Sequence, residues 1–200
     1  MTPALCIVLG LLQVVPFVAT AAPNKRPLSA LAGKVKPAAA RPSAAPTAAP
    51  APGTAITAPE SAALVDAHNA VRAEVGAGPV TWDAALARFA QGYVQALTGT
   101  CTLAHSQNSG YGENLAGWTA ADAPVTQAVD QWAAEKPKYT GGGGAYQGVA
   151  DGAGHYTQVV WAASTRIGCG RVVCSKEGRN WTIVSCNYSP PGNMLGAKVY

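Results

Sequence analysis

Between Thr57 and Lys136 large apolar residues recur every three or four positions, the period of helices that bury one face. Thr57-Ala58-Pro59-Glu60 has the T-x-x-E form of a capping box. Leu64, Ala67, His68, Val71 and Val75 follow on one stripe, and Gly76 and Gly78-Pro79 stop it. A second helix is predicted from about Thr81, with Trp82, Leu86, Phe89, Ala90, Tyr93 and Leu97 on one face and Gly99 as its stop. A third fits between Asp122 and Lys136: Asp122 caps it, Pro124 is tolerated in the first turn, Val125, Val129 and Trp132 form the stripe, and Pro137 ends it. The period then changes. RIGCGRVVC (166–174) and WTIVSCNY (181–188) are β-rich, and SKEGRN between them suits a hairpin loop. These runs predict an α+β domain in which helices cover an antiparallel sheet. Trp82, Phe89, Tyr93 and Trp132 are expected in its core, and His68 is expected as a buried ring with a hydrogen-bond partner.

Upstream, residues 1–22 contain an apolar run from Ala4 to Leu12 and the small-x-small sequence Ala19-Thr20-Ala21, the pattern of a secretory signal peptide. Gln13 and Pro16 interrupt a span already short of the ~20 apolar residues that a membrane helix needs. Residues 23–57 are mostly Ala and Pro and lack periodic large apolar residues, so they read as a disordered or extended linker. One domain is therefore expected over residues 58–200.

The formal net charge is +4, but Lys25, Arg26, Lys34, Lys36 and Arg41 all lie in the linker. The remaining domain is balanced and lacks the basic footprint of a nucleic-acid binder. Any attraction to cell wall or anionic surfaces belongs to the linker. Cys6 leaves with the signal peptide, and the even number left, Cys101, Cys169, Cys174 and Cys186, predicts two disulfides in a secreted chain. No C-x-x-C pair is present to favour zinc.

The motifs AHNAVR (67–72), PVTWDAALARFAQGY (79–93), CTLAHS (101–106), GYGENLA (110–116), AVDQWAAE (128–135), GHYTQVVW (154–161), RIGCGRVVC and SCNYSPPGN (185–193) run through the whole of residues 58–200. In this order they resemble the CAP superfamily of cysteine-rich secretory proteins, antigen 5 and plant pathogenesis-related proteins, and they are also similar to its fungal secreted sterol-binding members. The resemblance implies a three-layer α-β-α sandwich with a large cleft in which His105, Glu113, Glu135 and His155 face each other. It also implies the disulfide pairing Cys101–Cys174 and Cys169–Cys186.

Two imidazoles and two carboxylates in one cleft can pair, each carboxylate taking one ring N–H and fixing the tautomer. His105 and His155 could then hold a divalent cation, zinc or magnesium, in an open site, although no cofactor is required. A structural role for the tetrad accounts for the same residues. A metal-dependent extracellular hydrolase is the alternative function, but no H-E-x-x-H or G-x-S-x-G motif supports it. The first functional expectation is a secreted protein that binds or exports sterols, fatty acids or other small hydrophobic ligands, in defence or host interaction. A Gly-rich segment after Glu135, with Tyr139 and Tyr146, is its candidate ligand loop. Asn180-Trp181-Thr182 beside the hairpin loop is a candidate glycosylation site, whereas Asn187-Tyr188-Ser189, inside a strand and followed by Pro190, is discounted.

Overall fold

The computed structural model describes residues 55–120, 123–148 and 152–200. The expected signal peptide, nearly all of the expected linker, the expected cap Asp122 and residues 149–151 of the Gly-rich segment lie outside them. Helix α1 (Ala58–Ala73) starts at the expected capping box, Thr57 accepting from the Glu60 N–H and Glu60 accepting from that of Thr57. Strand β1 (Thr81–Trp82), helix α2 (Ala84–Ala96), strand β2 (Gly112–Trp118), helices α3 (Gln127–Ala133) and α4 (Gly154–Val159), and strands β3 (Arg166–Lys176) and β4 (Arg179–Ser189) complete the domain.

The sheet order is β1-β3-β4-β2. β4 is central and antiparallel to both neighbours, pairing with β3 from Arg166↔Ser189 to Lys176↔Arg179 and with β2 from Gly112↔Tyr188 to Trp118↔Thr182. The expected hairpin loop narrows to Glu177-Gly178, with φ of 54° and 73°. Two consecutive positive φ values give a two-residue turn whose twist matches that of the strands. The sheet departs from a purely antiparallel one at β1, which pairs parallel to β3 through Thr81↔Arg166 and Trp82↔Ile167. The second helix accordingly begins later than Thr81, at Ala84, where the Asp83 carboxylate accepts from the Ala85 and Leu86 N–H groups.

Helices cover both faces. α1, α3 and α4 bury Leu64, Val129, Trp132, Tyr156 and Val159 against Ile167, Cys169, Val184, Cys186 and Tyr188. On the other face α2 buries Val94 against Val172, Cys174 and Ile183. This is the expected α-β-α layering. The disulfides are Cys101–Cys174 and Cys169–Cys186, one under each helical layer, as the alternation of Cys169 and Cys174 along β3 requires.

Two further expectations need correction, and the Gly-rich segment has a partner. The third α-helix is shorter than Asp122 to Lys136, and Pro137 lies inside a separate 3₁₀ turn, Lys136–Lys138. Phe89 is 37% exposed and packs edge-on against Tyr111, outside the core, because α2 meets the sheet through Leu86, Ala90 and Val94. The Gly-rich segment is a track for the C-terminal tail: the Val199 and Tyr200 N–H groups donate to the Gly144 and Gly143 carbonyls, and Tyr146 exchanges hydrogen bonds with Gly196 and Ala197. Gly143 has φ +81°, and a Cβ there would stand 2.5 Å from the Tyr200 ring. Tyr146 is 5% exposed and packs edge-on against Trp161, while Tyr139 meets Tyr156 at a tilt and Tyr200 edge-on. Tyr146 is thus buried and Tyr139 half-buried.

α2 lies close to β3 because two residues there have no side chain. A Cβ on Gly168 would stand 2.2 Å from the Ala87 nitrogen, and one on Gly170 2.4 Å from that of Gln91. Gly92, in the same helix, has nothing within 4 Å of its Cβ direction. Gly168→Ala should therefore destabilise by at least about 1–3 kcal/mol through overpacking, whereas Gly92→Ala should stabilise by about 0.5–1 kcal/mol through helix propensity. Denaturant midpoints of the two variants check the contrast, and equal midpoints would refute it.

Candidate functional site

The four expected residues share a cleft of about 590 Å³, whose walls also include Asn114, Gln158 and Asn193. Each histidine is held through Nδ1. His105, on the loop after Cys101, is 2.8 Å from Glu113 Oε1, and the Ser106 N–H donates to the same oxygen at 2.9 Å. His155, in the first turn of α4, is 2.7 Å from Glu135 Oε1, and its own N–H donates to Glu135 Oε2 at 2.9 Å. With Nδ1–H donating to a carboxylate, the neutral ring carries its lone pair on Nε2.

Glu135 has a second task. Ala153, at the start of α4, supplies no side-chain cap, and the Glu135 carboxylate takes that place by accepting from the His155 and Tyr156 N–H groups. At the other end of α4 stands Arg72, buried on α1. Its five N–H donors meet the carbonyls of Gly78, Val159, Trp161, Ala162 and Ser164 at 2.6 to 3.5 Å. Both ends of this short helix are thus closed by residues from elsewhere in the chain.

Behind the cleft runs a polar chain with one consistent set of donors. His68 Nδ1–H donates to the Leu64 carbonyl at 2.7 Å, so Nε2 accepts from the Tyr188 hydroxyl at 2.9 Å. That hydroxyl accepts from Asn114 Nδ2 at 3.2 Å, and the same amide donates to the His155 carbonyl at 2.9 Å. Burial lowers the His68 pKa to about 4, which keeps the ring neutral and the chain of donors fixed. The expected satisfied ring is therefore found, and it braces His155. The floor is closed by Gln158, whose amide accepts from the Gly192 N–H and donates to Ser164 Oγ. Gly112 and Gly192 make room for it, since a Cβ at either position would lie 2.1 or 2.6 Å from that amide.

Sequence reasoning did not single out Arg72, Asn114, Gln158 or Asn193. Arg72 had a readable signal: it stands four and eight residues after His68 and Leu64, a charge on the buried side of an apolar helix. Asn114 and Gln158 carried none apart from lying inside the motifs of Glu113 and His155.

Residues 65–188 match the model of the cysteine-rich secretory protein (CAP) family. The chain is 48% identical over 138 residues to a pathogenesis-related protein PR-1 type of Sambucus nigra, covering 68% of this chain and 79% of that protein. It is 46% identical over 137 residues to pathogenesis-related protein 1B of Nicotiana tabacum, covering 68% and 78%. Among solved structures, NaASP2 with Zn2+ matches with a TM-score of 0.61 at 25% identity, over 76% of this chain and 88% of that one. BmVAL-1 has the same fold, with a TM-score of 0.61 at 23% identity over 74% and 85%.

The Glu113 hydrogen bond raises the His105 pKa above 6.5, outweighing the opposing effect of partial burial. Burial alone would push Glu113 up, but hydrogen bonds from His105 and Ser106 outweigh it and hold its carboxyl below 4.5. The raised His105 favours the fold fully below about 6.5 and loses that contribution as pH rises through its folded value. The lowered Glu113 contributes above about 4.5 and loses its contribution as pH falls through its own folded value. The charged pair persists between these two folded values. Glu113→Gln should bring the His105 titration midpoint down toward 6.5, the ordinary value, in imidazole NMR resonances followed against pH. An unchanged midpoint would show that Glu113 does not set it.

Proposed function

From the premise that this chain belongs to the CAP, or cysteine-rich secretory protein, family, we propose that it is a secreted defence protein that acts by binding, with a divalent cation held between His105 and His155. Its likeness to plant pathogenesis-related proteins supports the defence role, and two disulfides fit an oxidising compartment. Among the described residues no helix is long and apolar enough to cross a membrane.

The observation that carries the cation is the pair of imidazoles, each fixed through Nδ1 by a carboxylate, so that Nε2 is the free ring nitrogen of both. Among the described residues no three His, Cys, Asp or Glu side chains form a metal-binding group. Two nitrogen donors fit a labile zinc ion completed by water; they fit neither a closed structural zinc nor magnesium, which takes oxygen ligands. NaASP2, a protein of this fold, has been solved with Zn2+, which supports the same reading. Binding is favoured over hydrolysis because both carboxylates are engaged in orienting rings.

Calorimetric titration of the whole chain with zinc should show weak binding that His105→Ala and His155→Ala each reduce at least tenfold. The affinity should fall as pH drops through the raised His105 pKa, because protons compete for Nε2. Undiminished binding by the double variant would place zinc elsewhere and defeat this reading.

A second reading, capture of a sterol, fatty acid or other small hydrophobic ligand, has its own observation. Ile56, Trp82, Ala84 and Ala87 line a groove of about 510 Å³ beside the starts of α1 and α2. Its size and largely apolar walls suit such a ligand. Ala84→Trp should abolish saturable binding of labelled cholesterol or palmitate while leaving zinc binding unchanged. Binding that survives this substitution would refute the groove.

A further inference from the structure

We propose that Asn180 carries an N-linked glycan and that this glycan shields the protruding tip of the β3–β4 hairpin. The chain has two Asn-x-Ser/Thr sequences, and the fold separates them. Asn187 is fully buried, with Nδ2 donating to the Gly112 carbonyl at 3.4 Å across β2 and β4. An oligosaccharide on that nitrogen would keep the two strands from pairing, so a chain that reaches this fold carries none there. Asn180 lies two residues past the turn, within residues 175–180, which are all exposed.

The register shows what the glycan would cover. β2 ends at Trp118, paired with Thr182, whereas β4 begins at Arg179. Arg179, Asn180 and Trp181 therefore have β3 on one side and no strand of the described residues on the other. An edge of this kind offers unpaired backbone groups to a second chain, and proteins blunt such edges with charge or bulk. Lys176 and Arg179, paired at the tip, supply charge. A hydrated oligosaccharide on Asn180 supplies bulk. Asn180 lies seven residues along β4 from Asn187, about 23 Å at the rise of a strand, so the glycan stands well away from Glu113 and Asn114, whose partners are Asn187 and Cys186.

The attachment is a group transfer from a lipid-pyrophosphate-linked oligosaccharide. Asn180 Nδ2 bonds to the anomeric carbon and gives up one proton. The carbon–oxygen bond to pyrophosphate breaks, and the lipid pyrophosphate leaves with the electron pair. Transfer precedes folding, while the Thr182 hydroxyl that the sequon needs is still free; in the folded chain it donates to the Ala120 carbonyl at 2.9 Å.

The inference rests on the proposed secretion, so the test separates the two. The full chain is expressed in a eukaryotic secretory host with its own N-terminus and, in parallel, with residues 1–22 replaced by a signal peptide of proven function. Appearance of the first form in the medium reports on secretion alone. Protein from the second form is treated with peptide N-glycosidase in heavy-oxygen water and mapped by mass spectrometry. The label should fall on the Asn180 peptide and not on the Asn187 peptide; Asn180→Gln should abolish the mass loss on deglycosylation, and Ser189→Ala should leave it intact. Unmodified Asn180 in this secreted protein, or label on Asn187, would overturn the assignment. Concentrated Asn180→Gln protein should associate at several-fold lower concentration than the glycosylated chain in light scattering, and equal behaviour of the two would refute the shielding role.

Discussion

The cleft depends on how α4, a helix of only six residues, is held at both ends. A helix this short has too few internal hydrogen bonds to offset its nucleation cost. Glu135 lies at its positive end and Arg72 at its negative end, each complementing the helix dipole. Arg72 is buried with no carboxylate among its hydrogen-bond partners, an arrangement that is costly unless every donor is satisfied. Its five donors meet five carbonyls, so the charge is spread over the peptide dipoles that most need a cation. The position of His155 follows from this clamp, because its backbone N–H and its ring both bond to the carboxylate that caps the helix.

The opposite wall is built on another principle. His105 belongs to a loop without regular structure, tied to β3 through Cys101–Cys174 and to α2 through the Tyr93 hydroxyl, which donates to the Ala104 carbonyl. Its partner Glu113 sits near the start of β2, opposite Asn187 in the central strand. One half of the tetrad is thus positioned by a capped helix and the other by a cross-linked loop. The sheet joins them, because Glu113 and Asn114 are neighbours on β2 and the Asn114 amide reaches the His155 carbonyl. The tetrad inherits its geometry from both helical layers and is not a local motif of either.

What could be read from the sequence was whatever a local physical rule determines. The capping box, the helical stripes, the β3–β4 hairpin and the burial of His68 depend on residues a few positions apart. The tetrad and the disulfide pairing were legible only through resemblance, since no periodicity brings residues 105 and 155 together. Features that failed to show depend on a distant partner. Thr81–Trp82 is a strand because Arg166–Ile167 lies beside it, and its helical spacing with Leu86 is coincidental to that pairing. The Gly-rich segment looked unconstrained because its constraint, the last residues of the chain, lies more than fifty positions away. The place of Arg72 on the apolar stripe was readable, but four of its five carbonyl partners lie eighty-seven to ninety-two residues on and were not.

Orientation and proton affinity cannot be adjusted separately in this cleft. The contact between Glu113 and His105 selects the tautomer whose lone pair is on Nε2, and it also raises the affinity of that nitrogen for a proton. Any electrophile that seeks the lone pair, whether a cation or a polarised ligand, competes with hydronium on terms set by the carboxylate that prepared the ring. A weaker carboxylate contact would relieve the competition but leave the ring free to rotate, a particular cost at a histidine whose side chain is 58% exposed. The Ser106 N–H moderates the conflict. It donates to the same Glu113 oxygen and takes up part of its charge, so the carboxylate stays ionised and in place without resting wholly on the imidazole.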